Sequence, residues 1–123
     1  MGMKYFYDSY SVIEYINNNL KFVPYFEENS GVLTIMNIME VYYSSLLAAG
    51  IEKANIVIDK LWPLIISPSK DIIKKAMQFR IAHKKRKLSY ADCLGYSIAL
   101  EMQIKFLTGD KEFMNMPGVE FVK

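Results

Sequence analysis

One cysteine, one histidine and one tryptophan stand in 123 residues. A lone Cys93 excludes an internal disulfide, and its isolation favours a reducing compartment. His83 and Cys93 are the only soft metal ligands, so zinc chemistry is excluded as well. No apolar run approaches the roughly 18 residues that a membrane-spanning helix needs. The opening "MGMKYFYDSY" has no uninterrupted apolar core, so it does not read as a signal peptide. Phe6 stands where N-myristoylation would require Ser or Thr. These absences lead to an expectation of a cytoplasmic protein without a membrane partner. Strong charge of one sign is also missing. A formal net charge of +2 carries no argument for nucleic acid by itself.

What is present is apolar. The hydrophobic fraction is 52%, enough for a core that needs no disulfide, and the length suits one domain over residues 1–123. No repeat, linker or low-complexity segment interrupts it. Short apolar runs alternate with amphipathic ones. "KYFY", "VLTIM", "LIIS", "KFLT" and "VEFV" read as strands. "SYSVIEYINNN", "NIMEVYYSSLLAAG", "IEKANIVIDKLW", "PSKDIIKKAMQFRIAHKKRK" and "SYADCLGYSIALEMQ" read as helices, with "VPYFEENS" as a further short one. Strands separated by helices predict βαβ units around a mostly parallel sheet of about five strands, covered on both faces. Such sheets bind ligands beyond the carboxyl ends of their strands.

Four acids map to that edge. Asp8 follows the first strand and is the only charge between Lys4 and Glu14. Glu40 lies one turn into the helix after the second strand, alone between Glu28 and Glu52. Asp92 is alone between Lys87 and Glu101, and Asp110 follows the penultimate strand in "LTGD". Each has a purely structural explanation. Asn37-x-x-Glu40 and Ser89-x-x-Asp92 fit a capping box, Asp8 can cap a helix, and Gly109-Asp110 can be a turn. Independent capping does not require all four at one edge. Converging carboxylates cannot all ionise without a counter-charge, and one or two Mg²⁺ or Mn²⁺ ions are the natural partners of an all-oxygen set.

The motifs "YFYDSYSVIEYI", "LTIMNIMEVYYSSL" and "LSYADCLGYSIALEMQIKFLTGDKEFMNMPGVEFV" resemble those of PIN domains, and among them the VapC-like ribonuclease toxins. The resemblance runs almost end to end and is most specific in the last third. It implies a three-layer α/β/α sandwich, Mg²⁺- or Mn²⁺-dependent cleavage of RNA by metal-activated water, a homodimer, and a cognate antitoxin as partner. By motif, Asp8, Glu40, Asp92 and Asp110 fall on the family's metal-holding and catalytic carboxylates. Ser9 and Thr108 fall on supporting hydroxyls. Tyr10 stands where Ser or Asn is common in the family, and Glu112 where a further Asp often sits, so a fifth carboxylate is open.

The run "HKKRK" ends the fourth long helix in this reading. Its cations complement a helix carboxyl terminus. Lys84, Lys85, Arg86 and Lys87, with Lys111, are also placed to hold RNA phosphates. His83 reads as solvated, Cys93 as a small core residue, Tyr42 and Tyr43 mostly as packing, and Trp62 as packed at a helix end. Two other readings stay open: an RNA-processing nuclease without an antitoxin, and a non-catalytic RNA- or protein-binding domain. The retained four acids argue against the second. A phosphoacceptor or phosphatase domain would want two acids in tight sequence after the first strand, and "YDSY" offers one.

Overall fold

The computed structural model describes residues 2–123. Four strands, β1 (Tyr5–Tyr7), β2 (Gly31–Val32), β3 (Lys105–Thr108) and β4 (Val119–Phe121), form one sheet in the order β2-β1-β3-β4. Every pairing is parallel, with Phe6 opposite Val32 on one side and Phe106 on the other. Six helices accompany it: α1 (Ser9–Ile16), α2 (Val23–Glu27), α3 (Ile35–Ala49), α4 (Ile51–Leu61), α5 (Lys70–Ala82) and α6 (Tyr90–Met102). The α/β architecture expected from the alternation is present. The strand expected at "LIIS" contributes only a single parallel bridge, Ile65 to Leu33, beyond β2. A tight turn from Trp62 to Leu64 leads straight into this bridge, and Leu33 is followed at once by Thr34, the cap of α3.

Alternation along β1 covers both faces. Phe6 stacks on Phe106 of β3, and Phe106 meets Tyr96 of α6 and Phe113. Tyr7 points the other way and stacks on Phe26 of α2, while Tyr5 meets Tyr25. Phe6, Phe106, Leu107 and Phe113 have no exposed surface. Gly95 lets α6 approach this close, since a Cβ there would collide with the ring of Phe6. That contact matters beyond packing. It seats the start of α6, with Asp92, against the end of β1, with Asp8.

Several boundaries differ from the sequence reading, and three of them bear on the site and its surroundings. "VLTIM" shrinks to a two-residue strand because Thr34 leaves the sheet and caps α3. α5 starts after Ser69, whose hydroxyl accepts from the Ile72 N–H at 3.2 Å, so Pro68 precedes the cap rather than opening the helix. α5 also stops at Ala82, so the basic run lies in the turn that follows and not on the helix. Tyr43 is 65% exposed and Trp62 54% exposed, so neither is the packing residue expected. His83 is half-buried against Phe79, with ring centroids 4.2 Å apart, rather than solvated. Cys93 is fully buried, as a small core residue should be.

Candidate active site

The two central strands, β1 and β3, deliver their carboxyl ends side by side. Asp8 ends β1 and caps α1. One of its oxygens accepts from the Ser11 N–H at 2.7 Å, while the Ser11 hydroxyl donates to the Asp8 carbonyl at 2.8 Å. The residue is 2% exposed. Burial pushes its carboxyl up to about 7, against hydrogen bonds from Thr108 and Ser11 that favour the ion, and the charge of Asp92 adds to the rise.

Thr108 ends β3 with no exposed surface. It neighbours Asp8 in the parallel register of β1 and β3, and its hydroxyl accepts from the Asp110 N–H at 3.0 Å. One residue therefore adjoins the acid of β1 and holds the acid that follows β3. Asp110 in turn caps a 3₁₀ turn, Lys111–Phe113, by accepting from the Glu112 N–H at 3.0 Å. Thr108→Val keeps the volume but removes the hydroxyl that accepts from the Asp110 N–H and strands that N–H. A loss of ~1–3 kcal/mol is expected in thermal or denaturant unfolding. A roughly 10- to 100-fold loss of any metal-dependent activity should accompany it, and Thr108→Ser should restore most of both.

Asp92 opens α6 through the capping box expected with Ser89. The Ser89 N–H donates to its Oδ2 at 2.9 Å, and the Asp92 N–H donates to the Ser89 hydroxyl at 3.0 Å. Burial raises its carboxyl first, opposed by the Ser89 bonds, with the charges of Asp110 and Glu40 raising it further. Asp92 thus feels all three of the other acids, directly or by reciprocity with Asp8.

Glu40 is different. The cap of α3 is Thr34, not Asn37, so Glu40 lies in the second helical turn and caps nothing. The capping explanation for Glu40 is removed, while for Asp8, Asp92 and Asp110 it is real. Asn37 accepts from the Thr34 N–H and hydroxyl, each at 3.0 Å, and its Nδ2 donates to the Ser9 hydroxyl at 3.0 Å. The Ser9 hydroxyl in turn donates to Glu40 Oε1 at 2.5 Å. Glu40 is exposed but held toward β1 by this relay. Asn37 is the supporting residue that sequence reading missed. The signal was Thr34-x-x-Asn37, itself a capping pattern one turn earlier.

Glu112 turns elsewhere. Its carboxylate accepts from the Lys87 N–H at 3.4 Å, and its carbonyl accepts from the Arg86 guanidinium at 2.6 Å. Two bonds thus fasten the basic turn to the segment that carries Asp110. Lys84, Lys85, Lys87 and Lys111 are exposed.

Among the described residues, no three His, Cys, Asp or Glu side chains are grouped so that they could hold a metal ion as they stand. In chemistry, though not in this arrangement, the donor set suits a hard cation. It is all oxygen, it is partly buried, and the one ion pair among the described residues, Lys75–Glu101, involves none of it.

The whole chain superposes on solved structures. It matches VapC20 of Mycobacterium tuberculosis, a sarcin–ricin-loop-cleaving toxin, with a TM-score of 0.76, 12% identity, and coverage of 98% of this chain and 100% of that one. The fold is that of a PIN domain. The same PIN fold recurs in a chain of a toxin–antitoxin complex from Klebsiella pneumoniae, with a TM-score of 0.72, 18% identity and 95% coverage of each chain. FitAcB of Neisseria gonorrhoeae matches with a TM-score of 0.65, 16% identity and 96% coverage of each. No protein-family model matches the sequence, and no curated protein matches it significantly.

Proposed function

We propose that this chain is a metal-dependent endoribonuclease and the toxin of a type II toxin–antitoxin pair. One observation carries the reading. A buried carboxylate, Asp8, neighbours Thr108, whose hydroxyl holds the Asp110 N–H, and feels the charge of Asp92 at the carboxyl edge of a parallel sheet, with no cation paired to any of these acids among the described residues. Asp8, Asp92 and Asp110 would hold one or two Mg²⁺ or Mn²⁺ ions, and Glu40 would complete the set directly or through water. A bound ion would acidify water and stabilise the charge of an in-line displacement at phosphorus. Ser9 and Thr108 orient Glu40 and Asp8. Lys84, Lys85, Lys87 and Lys111, with Arg86 bracing the turn, draw the polyanion to the acids. Water adds to phosphorus, the bond to the 3′ oxygen breaks, and that oxygen takes a proton, which leaves a 5′-phosphate and a 3′-hydroxyl.

The structural neighbours support the toxin assignment, since one comes from a toxin–antitoxin complex and another is an RNA-cleaving toxin. An antitoxin is therefore the expected protein partner, and a homodimer the expected assembly. The outer side of α3 presents Met39, Tyr43 and Leu47 to solvent, the composition of a protein–protein surface. No described helix is long and apolar enough to cross a membrane, and the cytoplasm is the proposed site of action.

The test is cleavage of a mixed set of labelled RNAs by purified protein with Mg²⁺, Mn²⁺ or EDTA. Cuts are expected with metal and none with EDTA, and the downstream fragments should carry 5′-phosphates competent for ligation. RNA binding without cleavage under any metal would replace the nuclease by a non-catalytic RNA-binding domain.

A further inference from the structure

The acids and hydroxyls act on the phosphate and say nothing of the bases beside it. A second cluster lies where α5 ends and α6 begins. The Arg80 guanidinium sits 4.3 Å from the centre of the Tyr90 ring. Its Nε donates to the Leu88 carbonyl at 3.3 Å, so backbone fixes its position. Arg80 covers one side of the ring, and Tyr90 is nonetheless 56% exposed. Met77, Ile81 and Lys84 complete a shallow depression of about 260 Å³ around the pair. Tyr90 is also the first residue of α6, two positions before Asp92, so this depression lies at the end of the helix that carries that acid.

We propose that the open side of the Tyr90 ring, braced by Arg80, is a stacking platform for an unpaired RNA base next to the scissile phosphate, with Lys84 at the adjoining backbone phosphate. The inference rests on the ribonuclease reading and adds where the substrate is gripped. An aromatic ring half in water adds little to the core, yet it presents a flat apolar surface that any base can cover. Arg80 holds that surface in place before RNA arrives, which lowers the ordering cost of binding. The basic turn that follows α5 supplies charge alongside.

The experiment uses a single-stranded RNA of a dozen nucleotides carrying 2-aminopurine at successive positions. Binding is followed by fluorescence in the full chain silenced by Asp8→Asn. Cleavage with Mn²⁺ is followed in parallel in chains that retain Asp8. Binding should quench 2-aminopurine at one position. Tyr90→Ala and Tyr90→Leu should lose that quench and weaken binding roughly 5- to 150-fold. Tyr90→Phe should retain both, and in cleavage the Leu variant should raise KM with little change in kcat. If the wild type cleaves RNA and Tyr90→Leu binds and quenches like its parent, the platform is wrong while the nuclease reading stands. Equal loss in Tyr90→Phe would assign the contact to the hydroxyl and overturn stacking. If the chain neither binds nor cleaves RNA, both fall, and Tyr90 belongs to a protein-binding surface. Unchanged unfolding temperatures for all three variants separate these outcomes from misfolding.

Discussion

Asp8→Asn and Asp92→Asn should each abolish metal-dependent RNA cleavage and leave the fold intact. Asparagine keeps the size and one carbonyl acceptor of aspartate. Asp8 uses an acceptor for the Ser11 N–H and Asp92 uses one for the Ser89 N–H, so both helix caps survive the substitution. Only the charge goes. Removing a carboxylate that neutralises a catalytic cation costs on the order of 10³-fold in rate, about 4 kcal/mol of barrier. Glu40→Gln should cost less, because Glu40 is exposed and oriented from outside by Ser9. Purified variants with wild-type circular dichroism would be compared in single-turnover cleavage. A variant at Asp8 or Asp92 that keeps a tenth of the rate would remove that acid from the metal set.

The pattern of these acids was legible because three of them also do local work. Ser89-x-x-Asp92 is a contact between residues three apart, and it forms as read. Glu40 was assigned to a cap that does not exist, because β2 is only two residues long and the first turn of α3 is as apolar as a strand. Nothing in a local window separates Leu33, in the sheet, from Ile35, in the helix. The relay from Asn37 through Ser9 to Glu40 joins residues 28 and 31 apart in sequence, beyond the reach of periodicity. The same holds for the basic turn. Its place beside Asp110 depends on Arg86 and Lys87 meeting Glu112 across 25 or 26 residues. Glu112 could be read as a fifth carboxylate from its position in the motif. In the structure one of its carboxylate oxygens accepts from the Lys87 N–H at 3.4 Å, a contact across 25 residues.

Burial of Asp8 carries a second consequence, for stability. In the unfolded chain its carboxyl titrates near 3.8; in the metal-free fold burial pushes it up to about 7. The unfolded state therefore ionises first as pH rises. A carboxyl raised on folding costs nothing below its unfolded value, costs progressively more as pH climbs from about 4 to 7, and reaches its full cost above that. At ~1.4 kcal/mol for each tenfold preference, the full cost is on the order of 4 kcal/mol. Asp8→Asn removes it. The metal-free variant should therefore melt higher than wild type at pH 8, by roughly 10 °C, and the gap should close toward pH 4. Asp92→Asn should move in the same direction, since burial and the charges of Asp110 and Glu40 raise that carboxyl too. Mn²⁺ at pH 8 should then raise the melting temperature of the wild type and not of Asp8→Asn, because a ligand that binds only the folded state stabilises it by mass action. Melting curves with EDTA and with Mn²⁺ across this pH range measure both effects without any RNA. A gap that does not change with pH would mean that Asp8 is hydrated rather than buried. Equal stabilisation of both proteins by Mn²⁺ would place the ion away from Asp8. The acid that weakens the empty fold is, on this account, the one that the cation needs.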